Sequence, residues 1–197
     1  MNDGLDRYHR QMLLPGFGED GQRRLQDATV LLLGCGALGS VAADLLARAG
    51  VGHLVIVDRD VVEATNLQRQ VLFDEDDVAA ATPKAVAAKR HIARTNSQVR
   101  VTAIVDDINH TNIGRFADGV DLLLDGLDNL ETRYLANELA VERGIPYVYG
   151  AAVGTTGMAF AVMPAGDAPT ACLRCLFEEA PPPGTTPTCD TVGVLAT

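Results

Sequence analysis

The stretch Val30–Asp58, VLLLGCGALGSVAADLLARAGVGHLVIVD, decides the fold. The apolar runs in TVLLLG and GHLVIVD flank the amphipathic ALGSVAADLLARAG, and each segment is bounded by glycine or a charge. Two wholly apolar strands joined by one helix read as a parallel βαβ unit. Gly34, Gly36 and Gly39 stand between the first run and the helix in the order G-x-G-x-x-G. Gly34 permits the tight turn out of the strand, Gly36 lets backbone N–H groups approach phosphate, and Gly39 lets the helix sit close to the sheet. Asp58, nineteen residues beyond Gly39, is placed to accept hydrogen bonds from ribose hydroxyls. Glycines serving helix–sheet packing alone are the alternative, and NAD, FAD and ATP each satisfy the pattern.

Working outward, the alternation continues. Helices are expected at TPKAVAAKRHIARTN, NHTNIGRFA and LETRYLANELAVERG, and strands at VRVTAIV, DLLLDG and PYVYGAAV. This predicts an α/β fold with a doubly wound, mostly parallel sheet covered on both faces and a Rossmann-like nucleotide-binding half. Upstream, RYHRQMLLPGF and GEDGQRRLQDA suggest two short helices packed on the main sheet, punctuated by Pro15 and Gly16. Past Gly157 come a further strand, a cysteine-containing knuckle and a loop holding five of the nine prolines between Pro169 and Pro187. The expected organisation is one domain over 1–197: a helical extension (1–27), the Rossmann-like core (28–157), and a Cys knuckle with a mobile crossover loop (158–197). The sequence stops at Thr197 as DTVGVLAT begins to read as a helix start, so a further C-terminal portion is expected.

Composition narrows the function. A formal net charge of −10 argues against a protein built to bind a phosphate backbone, so nucleic acid is not an expected partner. No run approaches the roughly 18 apolar residues of a membrane span, and MNDGLDRYHRQ lacks a basic region followed by an apolar one. The chain therefore reads as cytoplasmic, with Cys35, Cys172, Cys175 and Cys189 as thiols or metal ligands in place of disulfides.

The residues after Asp58 choose among nucleotides. RDVVEATNLQRQVLF places Asn66, Gln68, Arg69 and Gln70 in a loop or short turn beyond the strand's carboxyl end, where doubly wound sheets bind ligands. Arginine there can clamp a triphosphate and Asn or Gln can orient it, although a solvated turn would look the same. Lys84 follows Pro83 at a helix start, where a cation is unfavourable unless an anion compensates, which hints at phosphate; an ordinary exposed lysine is the alternative. In DLLLDGLDNLETR, Asp125, Asp128 and Asn129 stand beyond a buried strand, where carboxylates can hold Mg²⁺; helix capping by Asp128 is the alternative.

Taken in order, RYHRQ, GCGALGS, VIVDRD, TNLQRQ, TPKA, DGLDN and CLRC resemble the ThiF/MoeB/HesA family, bacterial relatives of ubiquitin-activating enzymes, over about residues 5 to 197. The resemblance implies ATP-dependent adenylation of the C-terminal glycine of a ubiquitin-like sulfur-carrier protein of the ThiS/MoaD type, ending in Gly-Gly, with release of pyrophosphate. It implies Gly34, Gly36, Ala37, Gly39, Asp58, Asp60, Asn66, Gln70 and Asn129 around the nucleotide. Arg69 and Lys84 then lie on the phosphates, and Asp128 holds Mg²⁺. Arg10 matches an arginine that reaches across a homodimer interface to the partner's ATP. A carboxylate nucleophile needs no general base, so none of His9, His53, His91 and His110 is assigned a role.

Cys172-Leu-Arg-Cys175 has the spacing that lets two thiolates grip one Zn²⁺, but a structural site takes four ligands and the second pair that family members supply is not in this sequence. A redox pair or two idle thiols are the alternatives. Cys189 resembles a thiol that some sulfur-carrier activators join to the activated carrier. The spacing before Lys84 is about two residues longer than the family's. A sulfurtransferase or cysteine desulfurase is a further expected partner. An NAD-dependent oxidoreductase and a non-catalytic carrier-binding scaffold remain as competing readings.

Overall fold

Six strands form one sheet in the order β3-β2-β1-β4-β5-β6: β1 (Thr29–Leu33), β2 (His53–Val57), β3 (Arg100–Ile104), β4 (Leu122–Asp125), β5 (Tyr147–Val153) and β6 (Thr156–Val162). The structure is a computed structural model and describes residues 4–177 and Gly193. β1 to β5 run parallel and β6 pairs antiparallel with β5. β1 and β4 are sequence-distant neighbours, so the topological switch point lies between them.

Period-two alternation in each apolar strand divides the core between the two faces. Val30, Leu32, Leu54 and Ile56 pack with Ala43 and Ala47 of α3 (Ala37–Ala49) and with Ala85, Ala88 and Ile92 of α5 (Lys84–Thr95). Leu31, Leu33, Val55, Val57 and Leu123 face Ile113 and Phe116 of α6 (Ile113–Phe116) and Tyr134, Ala136 and Leu139 of α7 (Leu130–Arg143). Each such branched or aromatic side chain contributes about 1.5–3 kcal/mol on leaving water. The alanines on α3 and α5 let those helices approach the sheet and each other. α3 ends at Gly50, whose left-handed φ of 88° closes the helix with bonds to Leu46 and Ala47 carbonyls.

The covering expected on both faces fails at the edge: β6 is exposed at five of its seven residues. An antiparallel neighbour needs only a short turn, here between Val153 and Thr156, so no crossover helix is inserted to cover this strand. β6 also runs across the boundary expected at 157. The remaining helices are short: α1 (His9–Met12), α2 (Gly18–Asp27), α4 (Glu75–Ala79) and α8 (Leu173–Leu176).

The N-terminal extension packs on the sheet's core through Leu25 of α2, as expected, and also on helix ends. Gln11 and Gln22 both donate to Ala49 O at the carboxyl end of α3, at 2.8 and 3.1 Å, and Arg7 donates to Thr95 O at the end of α5, at 2.7 Å. Final-turn carbonyls have no partner within a helix, and these side chains supply one. Among the described residues no helix is long and apolar enough to cross a membrane.

Candidate functional site

At the carboxyl ends of β1 and β4 three glycines meet backbone to backbone. Gly34, at φ +85°, takes the turn out of β1; a Cβ on Gly39 would lie 2.2 Å from its carbonyl oxygen, and one on Gly126 2.5 Å from the same atom. Gly126 N–H also donates to Leu33 O at 2.8 Å, so the loops leaving the two strands are sewn together. Gly36 differs: a Cβ there would meet nothing nearer than Gln70 Nε2, at 3.8 Å. The protein alone would accept a side chain at position 36. Gly36 is the N-cap of α3 and Ala37 its first residue, and the free N–H groups of that first turn face the same place.

Asp58, at the end of β2, is buried and doubly anchored. Its Oδ2 accepts from Cys35 N–H at 2.7 Å and its Oδ1 from Asp60 N–H at 2.8 Å. Burial pushes its carboxyl up, against the two backbone hydrogen bonds and Lys84, which favour the charged form. Each carboxylate oxygen keeps a lone pair for a hydroxyl. Cys35 is fully buried and its thiol is pushed up by that burial, which suits the packing role of a small apolar residue.

The polar cluster resolves into distinct tasks. Asn66 is buried, and its Oδ1 accepts from Glu63 N–H at 3.0 Å in a reciprocal cap on the turn Ala64–Asn66. Its backbone carbonyl then accepts from both Arg69 and Gln70 N–H. Asn66 thus builds the turn that presents the next two site residues, with its amide N–H₂ left over. Arg69 is half-buried, and among the described residues its guanidinium donates only to Thr65 O, at 3.0 Å. Gln70 is 3% exposed; among the described residues its Oε1 has no hydrogen-bond partner, and its Nε2 borders the open space at Gly36. Gln68 is exposed.

Lys84 is not the uncompensated cation expected at a helix start. Its Nζ binds Asp60 Oδ2 at 2.9 Å and its N–H donates to Asp60 O at 2.9 Å. The protein therefore supplies the anion, and Asp60, expected at the nucleotide, is engaged with Lys84. Asn129 corrects a second reading, because it and not Asp128 caps α7, accepting from Thr132 N–H at 2.9 Å. Asp128 is exposed, with Asn129 Nδ2 on one oxygen at 3.3 Å, so the capping alternative does not consume it. Arg10 is not brought to this site. Its neighbour Gln11 binds the last residue of α3, and the glycine turn stands at the first, about 20 Å away along 13 residues.

Cys172 and Cys175 stand with sulfurs 3.7 Å apart. Two thiolates on one tetrahedral Zn²⁺ at about 2.3 Å would lie about 3.8 Å apart, so the pair fits half of such a site. Burial opposes ionisation of Cys172, but hydrogen bonds from Cys175, Arg174 and Asn137 outweigh it and hold its thiol below the usual range. The knuckle is pinned to α7 by Leu173 N–H on Asn137 Oδ1 at 2.8 Å and by Arg174 on Glu138. Cys189 lies outside the described residues.

Sequence reasoning missed two charge clusters. Asp77 is fully buried and pairs with Arg90 and with His91 Nε2, the latter at 2.7 Å, while Asp74 and Asp77 cap α4 reciprocally. Asp74, Asp77 and His91 lie within metal-ligand reach of one another, but the Arg90 cation and the cap already account for them. Arg133, on the buried face of α7 with Tyr134, Ala136 and Leu139, lies under the 126–129 loop; a cation at helical spacing among apolar residues was the available signal.

The sequence matches the ThiF family over residues 8–197. It is 45% identical over 190 residues to the sulfur carrier protein ThiS adenylyltransferase of Bacillus subtilis, covering 96% of this chain and 55% of that protein. It is 42% identical to the sulfur carrier protein adenylyltransferase of Thermus thermophilus, covering 97% and 70%. The fold resembles E. coli MccB crystallised with ATP (TM-score 0.71, 29% identity, 86% of this chain and 52% of that one). It also resembles E. coli TcdA in complex with ATP (TM-score 0.73, 28% identity, 79% and 63%). The chain thus spans about half the length of several proteins it matches.

Proposed function

The chain belongs to the ThiF family, and on that footing we propose that it is the nucleotide-binding part of an adenylyltransferase. In this reading it joins AMP to the C-terminal glycine of a ubiquitin-like sulfur carrier and releases pyrophosphate. The observation that carries it is the open space at Gly36, bounded by the Gln70 amide and lying at the first turn of α3. With Asp58 one strand away, this makes a cradle for a nucleotide in a family whose named relatives are adenylyltransferases.

The residues fit ATP. Asp58 takes the ribose, the first turn of α3 faces phosphate, and Arg69, with one backbone partner, supplies a planar cation. Lys84, held by Asp60, is a fixed positive charge that exchanges partners when phosphate arrives. Asp128 is an exposed hard-oxygen ligand for Mg²⁺, which would neutralise charge on the departing pyrophosphate. The carrier's carboxylate is already the nucleophile, so the chain's task is to hold it in line with the α-phosphorus and to stabilise developing charge.

Beside the N-terminus of α3 runs a groove of about 370 Å³ lined by Leu38, Gly150, Ala151, Ala152, Gly157 and Met158. Its small residues suit an extended Gly-Gly tail, which has no side chains to seat. Arg10, remote from its own site, serves the site of a second copy in a homodimer. Cys172 and Cys175 supply half of a structural Zn²⁺ site, and Cys189 is the candidate acceptor of the activated carrier. A sulfurtransferase or cysteine desulfurase then supplies sulfur in the cytoplasm. ATP–pyrophosphate exchange with candidate carriers tests the reading. Carrier-dependent exchange supports it, and carrier binding without exchange favours a non-catalytic scaffold.

A further inference from the structure

Arg133 is 7% exposed, yet it carries a charge that the adenylation reading leaves without a task. Its Nη2 donates to the carbonyls of Leu127 and, at 2.9 Å, Gly150; its Nη1 donates to Tyr149 Oη at 3.2 Å. The guanidinium lies 5.0 Å from the Tyr149 ring centroid, and its Nε stands 3.3 Å from Asp125 Oδ2. Asp125, itself 4% exposed, accepts from Tyr147 Oη at 2.7 Å and from Leu127 N–H at 2.8 Å.

Two buried side chains therefore grip Leu127, Asp125 through its N–H and Arg133 through its carbonyl. The next residue is Asp128. Burying an ion pair costs more desolvation than its attraction commonly returns, so stability alone is a weak reason for it. What the pair does achieve is geometric. One nitrogen, Nη2, ties carbonyls on the β4–α7 loop and on β5, while the rest of the planar guanidinium lies against Tyr149 and Asp125; a single ammonium could not span all four.

We propose that Arg133 is a positioning residue of the adenylation site: by holding Leu127 it fixes where the Asp128 carboxylate stands at the carboxyl end of β4. The proposal rests on the reading of Asp128 as the Mg²⁺ ligand.

The test measures ATP affinity by calorimetry, with Mg²⁺ and with EDTA, in the wild type, Arg133→Lys, Asp128→Ala and the double variant. Amide hydrogen exchange over residues 127–130 is followed alongside. Arg133→Lys is expected to weaken ATP binding about tenfold in Mg²⁺, as outer residues that orient metal ligands commonly do, and by less than about twofold in EDTA. Exchange at 127–130 accelerates, and in the Asp128→Ala background Arg133→Lys adds no further Mg²⁺-dependent loss. A purely structural role would weaken binding equally with and without Mg²⁺, or add its whole loss to that of Asp128→Ala, and either result overturns the proposal. Should Arg133→Lys fail to fold, Asp125→Asn loosens the same grip, and an unchanged Mg²⁺ dependence there is equally decisive against it. If Asp128→Ala itself leaves Mg²⁺·ATP binding intact, the Asp128 assignment falls and the positioning role with it; if only Arg133→Lys is silent, the assignment stands.

Discussion

The seam between the β1 and β4 loops and the rim of the nucleotide cradle lie within a few residues of each other and obey opposite rules. At the seam, Gly34, Gly39 and Gly126 leave no space at all. On the rim, Gly36 is open, Gln70 Oε1 lacks a partner and Asp128 is exposed. One G-x-G-x-x-G motif thus divides in two: its outer glycines are required by the protein's own packing, and its middle glycine is not. Satisfied groups hold the fold and unsatisfied ones await a partner.

Substitutions can break that division. The largest effect is expected at the rim: Arg69→Ala should cost roughly 3–4 kcal/mol of transition-state stabilisation in pyrophosphate exchange, as loss of a preorganised charge donor does. Its urea midpoint should stay put, because only the bond to Thr65 O is lost. Next comes the seam. Gly39→Ala drives a methyl group into Gly34 O and should lower unfolding free energy by about 3 kcal/mol, read by urea titration. A wild-type midpoint would mean that the seam yields.

Gly36→Ala sharpens the contrast. Stability should hold within about 0.5 kcal/mol while ATP affinity falls about tenfold, because the added methyl group occupies ligand space. Equal losses in both would erase the distinction between the two glycines. Smallest is an effect remote from both regions. His91 and Arg90, against the opposing cost of burial, hold the Asp77 carboxyl below the usual range. A depressed carboxylate contributes stability above its unfolded pKa, about 3.9, and that contribution is lost as pH falls through the lower folded value. Asp77→Asn should therefore flatten the stability profile below about pH 4, and an unchanged acid limb would remove Asp77 from the account.

The sheet was legible because its evidence is periodic. Five strands with helices between them read as a parallel, doubly wound sheet, and Asp58 follows at a fixed distance from the glycines. What sequence could not supply was the choice of partners. Lys84 looked uncompensated because Asp60 lies 24 residues away. Asp128 and Asn129 are adjacent and chemically alike, so only backbone geometry says which of them caps α7. Arg133 reads as an ordinary helical cation until Leu127 and Gly150 turn their carbonyls toward it. β6 satisfied the expectation of a strand and hid its exposure, since alternating small and apolar residues look the same covered or bare.

The sewn loops at Gly34 and Gly126 also have a kinetic meaning. Among the described residues, main-chain bonds tie the two walls of the proposed cradle to each other, so these walls need little reorganisation to receive a nucleotide. Nucleotide association is then expected as a single concentration-dependent phase, without the slower step that marks a conformational gate.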